Sequence, residues 1–471
     1  MSVITSSDSY KFCHFRMLPK GTEVVYSYFE SRTGALFSET TFFGLQYLLK
    51  KHFVGKVVTQ DKIEEAAAIA KAHFGDDTFF NRAGWEHILN HHDGKLPVVI
   101  KAVAEGSSIP TSNVLMTIEN TDEKCAWLTN YLETLLTHVW YSSTVATKSR
   151  CTKKIINSYL DITSDNKFSL PFALHDFGFR GVSSLESAAI GDAGHLICFA
   201  GSDTVPGIIL LRDYYHGELN EIAFSVAASE HSISSAEGED GENEYIVRLL
   251  REFPNGILSL VADTYNIERF IDEYIRNNKQ NILDRWINGK GQLNRVVIRP
   301  DSPRFVGEQP ANQVLWILSK LWDIFGGSIN QKGYKTLHPA VGVLWGDGLS
   351  TEEIEEIYRW AANHKFDVSS IVCGQGGGLL QKVNRDTQRF AFKCSAQKRN
   401  GEWLDIQKKP MDVSKASKKG KLALININGT LMTVSANTLR TSEEDLLIPV
   451  FKNGVLLKDY TLKEVRNNAK L

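Results

Sequence analysis

Apolar runs that end in small or charged residues recur through the middle of the chain, from about residue 168 to about residue 380. The seven runs are 170–174, 196–199, 224–228, 257–262, 296–298, 341–344 and 371–373. Each run leads into a polar or glycine-containing turn, and segments with apolar residues at three- and four-residue steps lie between them. This alternation predicts parallel strands joined by helices, the pattern of an α/β barrel.

The two ends of the chain have a different pattern. Before residue 141 we predict strands at 24–29 and 98–104 and helices at 61–74 and 122–140. After residue 386 we predict short strands at 390–394, 422–427 and 430–434, with Asn428-Gly429 as a hairpin turn. The predicted fold is therefore α/β. An irregular (β/α) barrel domain covers 141–386, and an α+β domain built from both chain termini, 1–140 with 387–471, contributes to a dimer interface.

Composition and cysteine spacing limit which binding partners and which cellular compartment we expect for this chain. The 471 residues are 42% hydrophobic and carry a net charge of −2, so no overall charge attracts nucleic acid or an anionic membrane. We find neither a signal peptide nor an apolar run near the roughly 18 residues that a membrane helix needs. The six cysteines show neither CxxC nor Cys/His zinc spacing, and His91-His92 reads as a surface turn rather than a metal site. We expect a cytoplasmic protein with no disulfide framework.

Convergence of the strand ends would bring chemically useful groups into one pocket. Three carboxylates (Asp203, Asp301 and Asp347) would lie near Arg180 and Arg299. The glycine-rich segment 374–378 could bind a phosphate through backbone N–H groups, although it matches neither a Walker loop nor a dinucleotide fingerprint. His231, with Glu230 beside it and Asp263 one strand further on, could act as a base or a nucleophile. Each feature alone is also compatible with an ordinary turn.

Several longer motifs point to one family. They are LHDFGFRGVSS, GSDT, SEHS, IRPDS, GDG and GQGGGLLQKVNRD, together with the early DSYK and YSYFESR and the late FKCS and SKKGK. In this order and spacing the chain resembles the nicotinamide phosphoribosyltransferases nearly end to end. The resemblance implies a homodimer of type II phosphoribosyltransferase fold. It also implies transfer of phosphoribosyl from phosphoribosyl pyrophosphate to nicotinamide in NAD salvage, giving nicotinamide mononucleotide and pyrophosphate, with Mg²⁺ and with ATP as a coupled substrate.

The resemblance also implies residue roles. Phe177 and the partner subunit's Tyr10 would stack on the pyridine ring, Asp203 would accept a hydrogen bond from the carboxamide, and His231 would be phosphorylated by ATP. The catalytic residues would be His231, Asp263 and Asp301. The substrate-binding residues would be Tyr10, Phe177, Arg180, Asp203, Ser225, Arg299, Asp301, Gly346, Asp347, Gly376 and Gly377. The phosphate-binding residues would be Arg32, Arg180, Arg385, Lys393, Lys408 and Lys415. No metal ligands are assigned.

Two alternatives stay open at this point. A nicotinate phosphoribosyltransferase would share the fold and the donor, but it needs a neutral or cationic group for the carboxylate, and Asp203 argues against it. A non-catalytic signalling protein on the same scaffold is the second alternative. The presence of the full set of motif residues argues against a loss of activity.

Overall fold

The computed structural model describes residues 2–289, 293–346, 348–408, 417–440 and 444–471. The chain forms two compact units. The terminal unit comprises Met1–Thr147, Leu210–Gly217 and Val383–Lys470, and the central unit comprises Lys148–Ile209, Glu218–Lys382 and Leu471. The changeovers at 147/148 and 382/383 lie within a few residues of the predicted boundaries at 140/141 and 386/387. The grouping of Leu210–Gly217 with the terminal unit was not predicted.

Strands are numbered in chain order. They are β1 (Thr22–Glu30), β2 (Glu39–Thr41), β3 (Val98–Ala102), β4 (Ser108–Pro110), β5 (Val114–Asn120), β6 (Leu174–Asp176), β7 (Gly201–Ser202), β8 (Ala227–Ala228), β9 (Ile257–Val261), β10 (Arg295–Arg299), β11 (Gly327–Ile329), β12 (Lys335–Leu337), β13 (Val341–Trp345), β14 (Ile371–Gln375), β15 (Ala391–Arg399), β16 (Glu402–Asp405), β17 (Leu422–Ile427), β18 (Thr430–Ser435), β19 (Ile448–Lys452) and β20 (Val455–Leu456).

Helices are numbered in the same way. They are α1 (Leu45–His52), α2 (Gln60–Phe74), α3 (Arg82–His91), α4 (Leu128–Tyr131), α5 (Glu133–Thr137), α6 (Val139–Thr163), α7 (Leu185–Leu196), α8 (Val205–Tyr215), α9 (Leu219–Ile222), α10 (His231–Ser234), α11 (Glu242–Glu252), α12 (Ile267–Arg269), α13 (Lys279–Asn288), α14 (Pro310–Phe325), α15 (Thr351–Asn363), α16 (Gly377–Leu380) and α17 (Leu462–Asn468).

An antiparallel sheet organises the terminal unit. Its strand order is β16-β15-β1-β5-β3-β19-β20, so strands from both ends of the chain pair within one sheet. The central strand β1 pairs with β15 on one side and β5 on the other. The hairpin β17–β18 turns at Asn428 and Gly429, which both have positive φ (51° and 87°) as a tight two-residue turn requires. The predicted α+β domain built from both termini is thus present.

A parallel sheet organises the central unit. Its order is β7-β6-β14-β13-β10-β9-β8, and its seven strands follow the seven predicted apolar runs or lie just after them. The backbone of Gly201 in β7 also forms a parallel bridge with Phe224, three residues before β8, so the sheet curls its two edges toward each other. Residues of β13 are buried throughout, as expected for a strand covered on both faces. The prediction of an α/β fold with an irregular barrel is confirmed.

Three local predictions were wrong. In the run 170–174, Leu170–Phe172 form a 3₁₀ helix and the strand begins only at Leu174. The run 196–199 is not a strand but the end of α7 and the turn after it, and the strand is only Gly201–Ser202. A short buried apolar run has no periodicity that separates a helix end from a strand. The segment 122–140 is not one helix: a 3₁₀ turn at Glu123–Cys125 precedes α4 and α5, and α6 begins at Val139.

Within the described residues, no helix is both long enough and apolar enough to cross a membrane.

Candidate active site

The candidate site in the central unit lies where the parallel strands end. Phe177 follows β6, Asp203 follows β7 and Asp263 lies two residues after β9. The remaining residues are placed as follows: His231 follows β8, Arg299 ends β10 and Asp301 follows it, Gly346 follows β13, and Gly376 and Gly377 follow β14. Ser225 precedes β8 and lies next to Phe224, whose backbone bridges to Gly201 of β7. Carboxyl ends of parallel strands meet at one edge of a sheet, so the topology collects these residues on that edge. Asp347 lies outside the described residues.

Phe177 and Asp203 leave the sheet at the same level. Asp176 pairs in parallel register with both Ser202 and Gln375, and its carbonyl accepts a hydrogen bond from the Asp203 N–H at 3.0 Å. The Phe177 N–H donates to the Gln375 carbonyl at 3.1 Å. An aromatic ring and a carboxylate are thereby placed on adjacent strand ends.

The absence of side chains at Gly374 and Gly376 leaves room for Phe177. A Cβ added at Gly374 would lie 2.2 Å from ring carbons of Phe177, and one added at Gly376 would lie 3.3 Å from the Phe177 carbonyl oxygen. Packing therefore requires glycine at position 374 and leaves little space for a side chain at 376, whereas Gly377 faces open space. The glycine-rich segment therefore leaves space for the Phe177 ring, in addition to any ligand that its backbone binds.

Asp203 is exposed, and the Ser225 hydroxyl donates a hydrogen bond to its Oδ1. Behind it, burial lowers the pKa of His175, although the Asp203 charge works to raise it. The imidazole is then neutral near pH 7 and does not cancel the negative charge of Asp203. A ligand group placed here meets an acceptor of hydrogen bonds.

Asp263 organises the histidine at the end of β8. His231 Nε2 lies 3.1 Å from Asp263 Oδ1, while the other carboxylate oxygen of Asp263 accepts hydrogen bonds from the N–H groups of Asp301 (3.0 Å) and Ser302 (2.7 Å). The Asp263 side chain is 5% exposed and the His231 side chain 46% exposed. One buried carboxylate thus fixes both the imidazole and the turn that carries Asp301, and His231 Nδ1 lies 4.0 Å from Asp301 Oδ2.

Arg299 lies between two of these strand ends. Its Nη2 donates to the Ser229 carbonyl at 2.8 Å, and its Nε lies 3.6 Å from Asp301 Oδ1. A Cβ added at Gly346 would lie only 2.6 Å from that same Asp301 oxygen. Gly346 is therefore what lets the Asp301 carboxylate pack against β13. Arg180 is exposed on the turn that follows Phe177.

A second candidate site lies within the terminal unit. Arg32, Arg385 and Lys393 line a cavity of about 240 Å³ together with Glu133 and Arg389. The pairing of β1 with β15 places Tyr28 opposite Lys393 and brings these distant residues together. Burial lowers the pKa of Lys393, Glu133 works to raise it, and the charges of Arg32, Lys408 and Arg385 lower it further. Four of the predicted phosphate-binding residues thus form one basic cluster.

Within the described residues, the buried Nε and Nη2 atoms of Arg32 have no hydrogen-bond partner. Arg32 Nε lies 3.7 Å from Glu30 Oε1, beyond hydrogen-bond distance. The basic side chains that line the cavity outnumber its two acidic ones, Glu133 and Asp386, so the cluster is suited to an anion. Lys415 lies outside the described residues. Tyr10 belongs to this unit, lies in the 3₁₀ segment Ser9–Arg16 and is 57% exposed.

Sequence reasoning missed several residues of these sites. Arg389 and Glu133 line the basic cavity, but no local pattern links residue 133 to residue 389. Asp192 lies fully buried in α7, and its Oδ1 accepts a hydrogen bond from the Ser202 hydroxyl at 2.7 Å. A charged residue inside the apolar stretch AAIGDAGHLICF was the available signal.

Comparisons with known proteins agree with the geometry. Residues 2–100 match the family model described as nicotinamide phosphoribosyltransferase, N-terminal domain, and residues 172–454 match the nicotinate phosphoribosyltransferase (NAPRTase) family. A nicotinamide phosphoribosyltransferase of Xanthomonas campestris is 41% identical, covering 99% of this chain and 98% of its own length. One from Acinetobacter baylyi is 33% identical, covering 98% and 96%.

A solved structure supports the fold. Human nicotinic acid phosphoribosyltransferase superposes with a TM-score of 0.61 at 16% identity, covering 98% of this chain and 92% of that chain. At this identity the similarity shows the architecture alone.

Two buried carboxyl groups, those of Asp176 and Asp192, predict how the stability of the fold depends on pH. Burial raises the pKa of Asp176 to about 6, and burial together with the Asp176 charge raises that of Asp192 well above its usual range. The unfolded chain loses these protons near pH 4, so the stabilisation is complete below that pH and is lost as pH rises through about 6. A shift of about 2 units corresponds to up to about 3 kcal/mol.

Asp192→Asn keeps an acceptor for Ser202 and removes one ionisable group of the pair. We expect its stability relative to the parent to increase between pH 5 and pH 8, measured by urea unfolding. Asp161→Asn, which removes an exposed carboxylate of α6, should leave the pH profile unchanged. A parallel pH profile for Asp192→Asn and the parent would contradict the raised pKa of Asp192.

Proposed function

The chain belongs to the nicotinamide phosphoribosyltransferases, enzymes that transfer a phosphoribosyl group in NAD biosynthesis, and from this premise we propose that nicotinamide is its base substrate. The donor is phosphoribosyl pyrophosphate, and the products are nicotinamide mononucleotide and pyrophosphate. The observation that carries the proposal is the Asp203 carboxylate, held by Ser225 on the strand end next to Phe177.

The choice between nicotinamide and nicotinate follows from charge. Phe177 stacks on the pyridine ring, and Asp203 accepts a hydrogen bond from the carboxamide N–H. Nicotinate would oppose its own carboxylate to Asp203, and two like charges at close range are strongly disfavoured in a partly dry pocket. The neutral His175 offers no compensating charge.

The sugar and its phosphate occupy neighbouring strand ends. Asp301, packed against Gly346 and placed near Arg299, is positioned for ribose hydroxyl groups. The backbone N–H groups at Gly376 and Gly377 are suited to the 5′-phosphate. Asp347 is assigned to the ribose by family resemblance alone.

Two sets of cationic side chains are suited to phosphate groups: Arg180 in the central unit and, within the terminal unit, the basic cluster, which is suited to pyrophosphate. That cluster comprises Arg32, Arg385, Lys393 and Lys408, and family resemblance adds Lys415 to it. In the transfer, the bond between C1′ and the pyrophosphate oxygen breaks and the pyridine nitrogen lone pair forms the new bond to C1′. No proton has to be removed, so the residues contribute positioning and charge stabilisation.

Mg²⁺ fits the same group of residues. Asp301 offers a hard oxygen ligand, and Mg²⁺ in proteins typically needs one or two carboxylates beside substrate phosphates and water. When bound, the ion neutralises charge on the departing pyrophosphate.

ATP coupling would proceed through His231. Asp263 accepts the Nε2–H hydrogen bond and thereby fixes the tautomer in which Nδ1 carries the lone pair. Nδ1 then attacks the γ-phosphorus of ATP: the N–P bond forms, the bond to the β-phosphate oxygen breaks, and ADP leaves. Water later hydrolyses the phosphohistidine. The added negative charge beside Asp301 would favour an arrangement of cations that holds pyrophosphate.

We further propose a cytoplasmic homodimer in which the partner subunit's Tyr10 covers the second face of the pyridine ring. Tyr10 is exposed within its own unit and is available for such a contact.

Asp203→Ala should weaken the preference for nicotinamide. Removal of the carboxylate deletes one charge-assisted hydrogen bond and the repulsion of nicotinate, so the ratio of kcat/KM for the two bases should fall by about 10- to 100-fold. The measurement is steady-state product formation with each base in parallel. Full retention of the preference would show that Asp203 does not select the base.

His231→Ala should uncouple the reaction from ATP. Transfer without ATP should stay measurable, whereas ATP stimulation and ATP hydrolysis should be lost because no phosphoryl acceptor remains. His364→Ala, which removes an exposed histidine at the end of α15, is the matched control. ATP-stimulated turnover in His231→Ala would contradict the phosphohistidine assignment.

Gly346→Ala should lower transfer with little effect on folding. The new methyl group must displace Asp301, and a misplacement of about 1 Å can cost about 100-fold in rate. Initial rates at varied phosphoribosyl pyrophosphate, with thermal unfolding measured in parallel, check this expectation. An unchanged rate would remove Asp301 from the substrate site.

A further inference from the structure

Four potential metal ligands converge in the terminal unit, and none of them is among the residues assigned above. His87 and His92 both direct Nε2 at the same oxygen of Asp122, at 2.7 and 2.6 Å. The Sγ atom of Cys125 completes the group, and the four ligand atoms all lie within 4.8 Å of one another. Two imidazoles, a carboxylate and a thiol in such a small volume form the donor set of a zinc site.

The local backbone explains this convergence. His87 lies in the last part of α3, and His92 is its C-cap. Asp93 and Gly94 follow with positive φ (51° and 70°), so the chain reverses and His92 folds back beside His87. On the other side, Asp122 caps the 3₁₀ turn Glu123–Cys125 and accepts the Lys124 N–H through its Oδ1. The oxygen that faces the histidines is the other one, Oδ2.

The environment suits a structural ion. The side chains of His87, Asp122 and His92 are 13%, 22% and 25% exposed, and Cys125 is fully buried. A carboxylate and a thiolate supply two negative charges, which match a divalent cation, whereas the imidazoles bind as neutral ligands. The filled site would therefore carry no net charge.

We propose that these four side chains bind Zn²⁺ and join the end of α3 to the turn after β5: His87, His92, Asp122 and Cys125. Tetrahedral zinc keeps nitrogen and oxygen ligands about 3.4 Å apart, so each Nε2–Oδ2 pair must open by less than about 1 Å. Binding forms one bond to each ligand atom and releases the thiol proton of Cys125 to solvent. The site is separate from the Mg²⁺ of the transfer reaction.

The sequence predicts a surface turn at His91-His92 and contains no compact zinc-ligand spacing. The chain does turn at Asp93 and Gly94, and this turn places His92 beside His87. The second pair of ligands lies about 30 residues further along the chain, so no compact motif appears in the sequence.

The first test is metal content and metal spectroscopy on the full chain. The protein is loaded with Zn²⁺ in the presence of excess Mg²⁺, desalted and analysed by elemental mass spectrometry. Stoichiometric zinc should be retained. Replacement by Co²⁺ should give a thiolate-to-cobalt charge-transfer band, and Cys125→Ser should remove that band.

The second test separates a metal site from a hydrogen-bonded cluster. His92→Gln retains an Nε2–H donor for Asp122 but loses the imidazole ligand. Its affinity for zinc, measured by competition with a chromophoric chelator, should fall by more than the roughly 10- to 100-fold typical of outer-shell changes. His91→Gln is the matched control, because His91 stacks on His87 at 4.3 Å but is not a member of the ligand group.

The outcomes are decisive in both directions. Zinc retained by the parent and by His91→Gln, but not by His92→Gln, supports the site. The proposal is wrong if the parent retains no more zinc than His92→Gln, or if the cobalt band is absent. Phosphoribosyl transfer is measured separately with Mg²⁺, so a failure of the zinc site and a failure of the proposed function are distinguishable.

Discussion

The parallel pairing of β6 with both β7 and β14 is the constraint on which the candidate active site depends. Asp176 is in register with Ser202 on one side and with Gln375 on the other, so the residues that follow leave the sheet together. The Phe177 ring can stay at that level only because Gly374 has no side chain. Backbone register, more than any contact between functional side chains, therefore sets the distance between the aromatic ring and Asp203.

A buried acid pair supports that register at an electrostatic cost. Asp176 Oδ1 accepts the Gly178 N–H at 2.7 Å and so shapes the turn that carries Phe177. Asp192 holds the Ser202 hydroxyl, and the oxygen of that hydroxyl accepts the Thr204 N–H at 2.9 Å, which shapes the turn that carries Asp203. Burial raises the pKa of both carboxyl groups, and the Asp176 charge raises that of Asp192 further. The same two groups thus fix both walls of the proposed nicotinamide pocket and make the fold sensitive to pH.

The sequence pattern predicted most strands of the central sheet but not all of their bounds. Long apolar runs such as 257–262 and 341–344 predicted β9 and β13 because buried parallel strands are continuously apolar. The two-residue strand β7 could not be predicted, since so short an element has no period and the apolar run before it belongs to α7. The terminal sheet was predicted only as short strands, because pairing across more than 350 residues leaves no local trace.

In the candidate sites too, groups placed by the local strand pattern were predicted, whereas groups brought together by pairing of distant strands were not. His231 and Asp263 were predicted as a pair because each follows a strand in an alternating pattern, and the structure places them 3.1 Å apart. The meeting of Arg32 with Arg385 and Lys393 could be inferred only from family resemblance, since it depends on the pairing of β1 with β15. For His92, the turn that follows it was predicted from the sequence. Its neighbours Asp122 and Cys125, which lie about 30 residues further along the chain, were not.

The basic cluster has a consequence for the direction of the proposed reaction. Burial lowers the pKa of Lys393, and repulsion from the charges of Arg32, Lys408 and Arg385 lowers it further, while Glu133 works to raise it. An anion with several charges relieves that repulsion at several cations at once, whereas a singly charged anion relieves little of it. Pyrophosphate, both as the leaving group of the donor and as a product, is the ligand whose charge matches this cluster. The same attraction would slow its release after transfer, and a phosphorylated His231 beside Asp301 would add negative charge in the proposed active site of the central unit. Under the proposed coupling to ATP, phosphorylation and hydrolysis at His231 would change the charge of the central-unit site between one turnover and the next.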